Sequence, residues 1–166
     1  MKNSIEAKMN RDSVPSLVDV HVYSFIEDRL HFLLFKRSDS VIYSGEWRMV
    51  GGKVAENESA VGAAKREFTE ETGLGMNLFW CVPAVNSFFD FKRNITHHIP
   101  VFAVECEAGA KPDLNHEHAE FQWFNEAEAL EMVLWPEQQR CIRLISRLLA
   151  RPELSREWLI PVPPAS

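Results

Sequence analysis

Between Leu17 and Ile26, apolar Val18, Val20 and Val22 alternate with Asp19, His21 and Tyr23, a period of two that predicts a strand with one buried face. After a turn at Glu27-Asp28-Arg29, the run from Leu30 to Lys36 stays apolar for a strand's length, so a central strand covered on both faces is expected. Ser38 to Glu46 reads as a polar loop, and Trp47 to Val50 as a short strand delivering the chain to Gly51-Gly52. The period then changes. From Ser59 to Thr72 the apolar Val61, Ala64 and Phe68 fall at i, i+3 and i+7, a helical spacing, and Gly73 supplies the stop.

Two further strands are expected, from about Leu78 to Phe91 and from Ile95 to Cys106, joined as a hairpin through Lys92-Arg93-Asn94. Gly109 to Asn115 is a loop, Glu120 to Phe124 a short strand and Glu126 to Glu131 a small helix. Cys141, Leu144, Ile145 and Leu148 recur at helical spacing, so Gln138 to Ala150 should form a closing amphipathic helix. Strands on both sides of one helix, closed by another, predict an α/β fold in which a mixed β-sheet is sandwiched between α-helices. Residues 1–15 are polar and aperiodic and read as a loose arm, and the prolines at 161, 163 and 164 make residues 151–166 a tail that continues no helix. With no repeat and no linker, 166 residues that are 46% apolar form one domain.

A net charge of −6 without a run of lysine and arginine argues against a nucleic-acid polymer as partner, which would call for a basic stripe. Small phosphorylated ligands stay open, because metal ions can bring the positive charge. Cys81, Cys106 and Cys141 are odd in number, widely spaced and without a metal-ligand motif, which points to a reducing, cytoplasmic setting. No apolar run approaches membrane-spanning length, so no membrane partner is expected. A homodimer is left open beside a monomer.

The chemistry concentrates in residues 52–74. Glu67, Glu70 and Glu71 stand at i, i+3 and i+4, which on a helix advancing about 100° per residue puts three carboxylates in one sector. Like charges so close repel unless a cation neutralises them, and hard oxygen donors on adjacent turns suit Mg²⁺ or Mn²⁺. The alternative is a solvated acidic face. Against it, the acid sector lies about a quarter-turn from the apolar stripe, where a purely solvated face would stand opposite. Arg66 adds a planar donor fork beside Glu67, suited to fixing the neighbouring loop.

The whole pattern, Gly52-x5-Glu58-x7-Arg66-Glu67-Phe68-x-Glu70-Glu71-x-Gly73-Leu74, resembles the Nudix box, with no position missing. The resemblance implies a Nudix hydrolase: a divalent-metal enzyme that cleaves nucleoside diphosphates linked to another moiety, on the same sandwiched fold. It implies Glu67 and Glu71 as metal ligands, Glu70 as a ligand or the partner that orients water, and the Gly52 carbonyl as a further donor. Glu58 is either an acid at the helix start or a supporting partner of the metal ligands. A carboxylate from outside the box is also implied, in the segment before Trp123. Glu117 is the first choice and Glu120 the substitute. Lys36 and Arg37 stand where relatives carry a phosphate-binding arginine, although a charged strand exit would look the same. His97 and His98 could meet phosphate or be structural. Trp47, Phe88, Phe89, Phe91 and Trp135 are candidates to stack on a base, with Trp47 and Phe89 preferred.

The expected reaction is hydrolysis of a nucleoside triphosphate or close analogue to a nucleoside monophosphate and pyrophosphate. The segment from Glu117 to Trp123, followed by Trp135-Pro136-Glu137-Gln138-Gln139, is similar to dihydroneopterin-triphosphate and dATP pyrophosphohydrolases. A nucleotide sugar of the GDP-mannose kind is the runner-up, on Thr96-His97-His98. Dinucleoside polyphosphates stay open through Phe91, while ADP-ribose and NADH lose weight because the subfamily signals are absent. A non-catalytic ligand sensor is the remaining alternative, disfavoured by the intact box.

Overall fold

The structure is a computed structural model that describes residues 14–162; the expected arm over residues 1–13 and the tail's last residues, 163–166, lie outside the described residues. Seven strands build one sheet: β1 (Leu17–Ile26), β2 (Arg29–Arg37), β3 (Trp47–Arg48), β4 (Val50–Lys53), β5 (Leu78–Asp90), β6 (Ile95–Glu105) and β7 (His118–Asn125). The helices are α1 (Ala60–Thr72), α2 (Glu126–Met132), α3 (Pro136–Leu149) and the single turn α4 (Pro152–Ser155), followed by a 3₁₀ turn at Arg156–Trp158. No described helix is long and apolar enough to cross a membrane.

The sheet is mixed because β1 and β6 run parallel while the other neighbours are antiparallel. One half of β1 pairs with β4 and the other half with β2, so the β3–β4 segment is wedged where β1 and β2 diverge. That wedge positions the site. The pairs Val18 with Gly52 and Arg37 with His118 bring the start of β1, the end of β2 and the start of β7 to one end of the sheet.

Alternation along β2 explains the two cores. Leu33 and Phe35 face α1 with Ala63, Ala64 and Phe68, whereas Phe32 and Leu34 face α2 and α3 with Ala129, Cys141, Ile142 and Ile145. The apolar run of β2 is thus buried on both faces, as expected. β1 departs from expectation, because its second face is buried too: His21 and Tyr23 are as inaccessible as the valines. Tyr23 tolerates this by accepting a 3.0 Å hydrogen bond from Trp80 Nε1. Neither ring nitrogen of His21 has a partner among the described residues.

His21 yields a first testable consequence. Burial pushes its imidazole down from 6.5 to about 4, because the charged form has no water in the core. A depressed histidine contributes stability that is present above about pH 6.5 and lost as pH falls toward 4. The Tm advantage of His21→Leu over the parent should therefore be larger at about pH 5 than at about pH 8. Equal differences at both pH values would mean that the ring is hydrated in the fold.

Other expectations shift by a few residues. β7 begins at His118 rather than Glu120, and α3 begins at Pro136, whose missing N–H costs nothing in a first helical turn. The segment expected to be only a tail adds order: Leu159 bridges to Trp80, and Ile160 N–H donates to Phe79 O at 2.8 Å. It covers part of the exposed edge of β5.

Candidate active site

The site starts from α1. Ser59 caps it, accepting from Gly62 N–H at 3.0 Å, and Gly73 ends it at φ 64°, its N–H bonded to Thr69 O. A cap of this kind is worth about 1 kcal/mol, less than the about 1.5–3 kcal/mol gained by burying one large side chain. Phe68, fully buried, therefore does more than the caps to fix the helix rotation. That rotation separates the three acids by depth: the Glu71 side chain is 4% exposed, Glu67 14% and Glu70 57%.

Arg66 ties the box together. Its Nε and Nη2 donate to the two oxygens of Glu58 at 2.9 Å, Nη2 also reaches Lys53 O at 2.8 Å, and Nη1 reaches Glu67 Oε1 at 2.8 Å. The Arg66 guanidinium holds the Glu58 carboxyl at about 2 and is itself held above its usual range. Glu58 also accepts from Ala55 N–H at 2.9 Å, closing the loop that enters the helix. Gly52 lies against Glu67 so closely that an added Cβ would fall 2.1 Å from its carboxyl carbon.

Glu71 occupies the deepest position. Burial, then Glu67 and Glu117, push its carboxyl up to about 9, against the pull of Arg37 and Arg48. Burial also raises Glu67, with Glu70 and Glu117 adding to it, although Arg66 opposes the shift. Nε2 of buried His118 stands 3.7 Å from Glu71 Oε2. With His118 lowered to about 4, mainly by burial, these are two neutral groups near neutral pH rather than an ion pair. His118 Nδ1 has no partner among the described residues, and the ring packs on Phe35 with centroids 4.9 Å apart.

The other expected residues divide. Glu117 joins the cluster, since it acts on both Glu67 and Glu71, whereas Glu120 points away into a 3.0 Å exposed pair with Lys36. A register shift between Lys36 and Arg37 marks a bulge, and bulges re-aim side chains. Arg37 reaches the cluster side, with Nε donating to Ile42 O at 2.8 Å, and Lys36 does not. Trp47 is half-buried, edge-on to Phe124 at 5.3 Å and packed into the α3-side core. Phe89, 58% exposed, projects on the β5–β6 hairpin with Phe88 and Phe91; His97 stacks on Phe88 at 4.7 Å, and His98 meets Ser87 Oγ at 3.3 Å.

Glu117 repels both Glu67 and Glu71, Glu67 repels Glu71, and the Gly52 backbone lies against Glu67. Among the described residues no three His, Cys, Asp or Glu side chains converge into a finished metal cage. This donor set suits an ion that keeps much of its coordination for water and phosphate, as Mg²⁺ does.

A NUDIX domain model matches residues 15–145. The chain belongs to the NUDIX family. Among relatives, the mRNA-decapping protein of African swine fever virus is 31% identical over 104 residues, 61% of this chain but 40% of that protein. The chain thus spans well under half the length of the curated relatives it matches. A NUDIX hydrolase structure from Listeria monocytogenes superposes with a TM-score of 0.72 at 20% identity, covering 89% of this chain and 99% of that one. The Ap4A hydrolase of C. elegans gives 0.66 at 20% identity (81% and 98% covered), and the dihydroneopterin triphosphate pyrophosphohydrolase of E. coli gives 0.62 at 20% (81% and 99%). These likenesses show a shared NUDIX fold.

Sequence reasoning missed Arg48 and His118. Arg48 sits one residue past Trp47 and acts on both Glu71 and His118. Its position in the strand before Gly51-Gly52 was the only available signal. For the NUDIX acid cluster, Glu117→Gln should cut kcat about a hundredfold with KM little changed, and Glu120→Gln less than about threefold. Rates of the two variants across pH decide it. Equal small effects would remove Glu117 from the site.

Proposed function

We propose that this NUDIX domain is a Mg²⁺- or Mn²⁺-dependent pyrophosphohydrolase that converts a nucleoside triphosphate or close analogue into a nucleoside monophosphate and pyrophosphate. The observation that carries this reading is that burial first, and repulsion from neighbouring carboxylates second, raise both box carboxyls Glu67 and Glu71, with Arg37 and Arg48 pulling Glu71 back. Carboxylates kept at such a cost are matched by a ligand that brings positive charge. Glu67, Glu71 and the Gly52 carbonyl would hold the ion, which when bound neutralises phosphate charge and makes water a better nucleophile.

The chain's own residues do the rest. Arg66 fixes the direction of Glu67 through the 2.8 Å bond and locks the loop through Glu58. Glu70, exposed on the same helix, orients water, and Glu117 takes the water's proton. Arg37 meets the phosphates, while Lys36, paired with Glu120 at 3.0 Å, stands apart. Three free cysteines, two of them buried, fit a reducing, cytoplasmic setting. The exposed Phe89 is available to a substrate, whereas Trp47 is packed edge-on against Phe124.

Hydrolysis in ¹⁸O-water, with products separated, tests the reaction. Label should appear on a phosphate product, with pyrophosphate formed in equal amount to nucleoside monophosphate. Label found only on a released sugar, using a nucleotide sugar as substrate, would sink this assignment in favour of attack at carbon.

A further inference from the structure

Of the three carboxylates that act on one another, Glu67 and Glu71 ride on α1, but Glu117 stands one residue before β7 begins. The irregular stretch that carries it is pinned at its start, where Asp113 N–H donates to Thr72 O at 2.8 Å and Leu114 packs against the α1-side core. Beyond Leu114 a side chain takes over. Asn115 Oδ1 accepts from Glu117 N–H at 3.0 Å, the local bond by which an asparagine builds a turn without a strand or helix around it.

The end of β2 supplies the remaining bonds. Ser38 Oγ donates to His116 O at 2.7 Å, and Ser38 N–H donates to Glu117 O at 2.8 Å. Ser40 Oγ lies 2.8 Å from Ser38 Oγ and 3.3 Å from His116 O, so it backs the same contact. His116 O, Glu117 N–H and Glu117 O are thus all held. Because each peptide unit is planar, fixing the units on both sides of a residue fixes its φ and ψ and with them the direction of its Cα–Cβ bond. Ser38 also follows Arg37 directly, past the bulge, and the Arg37 Nε reaches Ile42 O at 2.8 Å within the loop that Ser38 opens.

We infer that Ser38 is a positioning residue: together with Asn115 it aims the Glu117 carboxylate and ties its placement to the strand end that carries Arg37. The inference rests on the role of Glu117 proposed above and deepens it. A hydroxyl that merely stabilised a surface loop would act alike whatever side chain stood at position 117. A positioning hydroxyl acts only through the carboxylate, so its effect vanishes when the carboxylate is gone. Without the Ser38 hydroxyl, His116 O loses its bond while Glu117 O keeps the Ser38 N–H, so the carboxylate shifts by less than the about 1 Å that costs about a hundredfold in rate.

A double-mutant cycle on the full chain tests this, with saturating Mg²⁺ and whichever common ribo- or deoxyribonucleoside triphosphate the parent hydrolyses fastest. Ser38→Ala should lower kcat about tenfold with KM within about twofold, and Ser38→Thr, which keeps the hydroxyl, should restore the rate. Ser44→Ala is the control, because it removes a 2.6 Å bond to Asp39 in the same loop that touches neither His116 nor Glu117. In a Glu117→Gln background, Ser38→Ala should change kcat less than about twofold. Mn²⁺ affinity of Ser38→Ala, read by electron paramagnetic resonance, should match the parent's. Asn115→Ala repeats the cycle if Ser38→Ala fails to fold. An equal loss in both backgrounds, a parental rate in Ser38→Ala, or a matching fall in Mn²⁺ affinity would overturn the inference while leaving the role of Glu117 intact. A near-parental rate in Glu117→Gln, or no turnover of any triphosphate, would instead reject the reading of the site, and the role of Ser38 with it.

Discussion

Glu71→Gln and Glu67→Gln should each lower turnover with saturating Mg²⁺ by at least about a hundredfold, the scale at which even the partners of metal ligands act. The metal-free Tm of Glu71→Gln should equal or exceed that of the parent. The two readouts part because the carboxylate needed for the ion is the one most costly to bury: Glu71 is 3% exposed and raised to about 9. For a carboxyl raised above its ordinary value of 4.5, the stabilising contribution is full below that value and is lost as pH rises through about 9. The metal-free parent should therefore lose Tm between about pH 5 and 9, and Glu71→Gln should flatten that slope. Near-parent rates in both variants would reduce the acid face to solvated surface. An unchanged pH slope in Glu71→Gln would show that another group carries the titration.

Gly52→Ala should cost about as much activity as removing a carboxylate while leaving the fold intact. Gly52 does not require a left-handed backbone, so alanine is allowed by conformation; the obstacle is purely steric, with the new Cβ 2.1 Å from the Glu67 carboxyl carbon. Glu67 cannot yield freely, because Arg66 Nη1 grips it at 2.8 Å and Arg66 is itself tied to Glu58 and Lys53. A swing of about 1 Å out of position is enough to cost about a hundredfold in rate. Gly75→Ala is the control, because open space surrounds that position. Circular dichroism and Tm near the parent's, with kcat reduced only at Gly52, is the expected pattern. A fully active Gly52→Ala would mean that Glu67 works from another orientation.

The sequence by itself determined much that is local. Gly73 ends α1 as expected, Ser59 caps it one residue before the helix begins, and Arg66, Glu67, Glu70 and Glu71 follow from spacing within one helix, where neighbours lie within four residues. The two-sided burial of β2 was equally legible, because an unbroken apolar run has no polar side to turn to water. Spacing alone could not rank Glu71 beneath Glu70, since depth depends on what the helix packs against. Nor could it separate Glu117 from Glu120: the start of β7 and its pairing with β2 send Glu120 to Lys36 and keep Glu117 beside Glu71. The second buried face of β1 was hidden for the same reason, because polar Asp19 and Tyr23 are satisfied by Asn86 and Trp80, more than fifty residues away in sequence. Arg48, Tyr43 and Trp135 likewise meet only because β3 pairs with β2 and the segment entering α3 packs on the loop between them. Propensity and periodicity act over a few residues and are written locally. Depth, register and the pairing of distant side chains arise only when the sheet closes, and tertiary structure alone decided them.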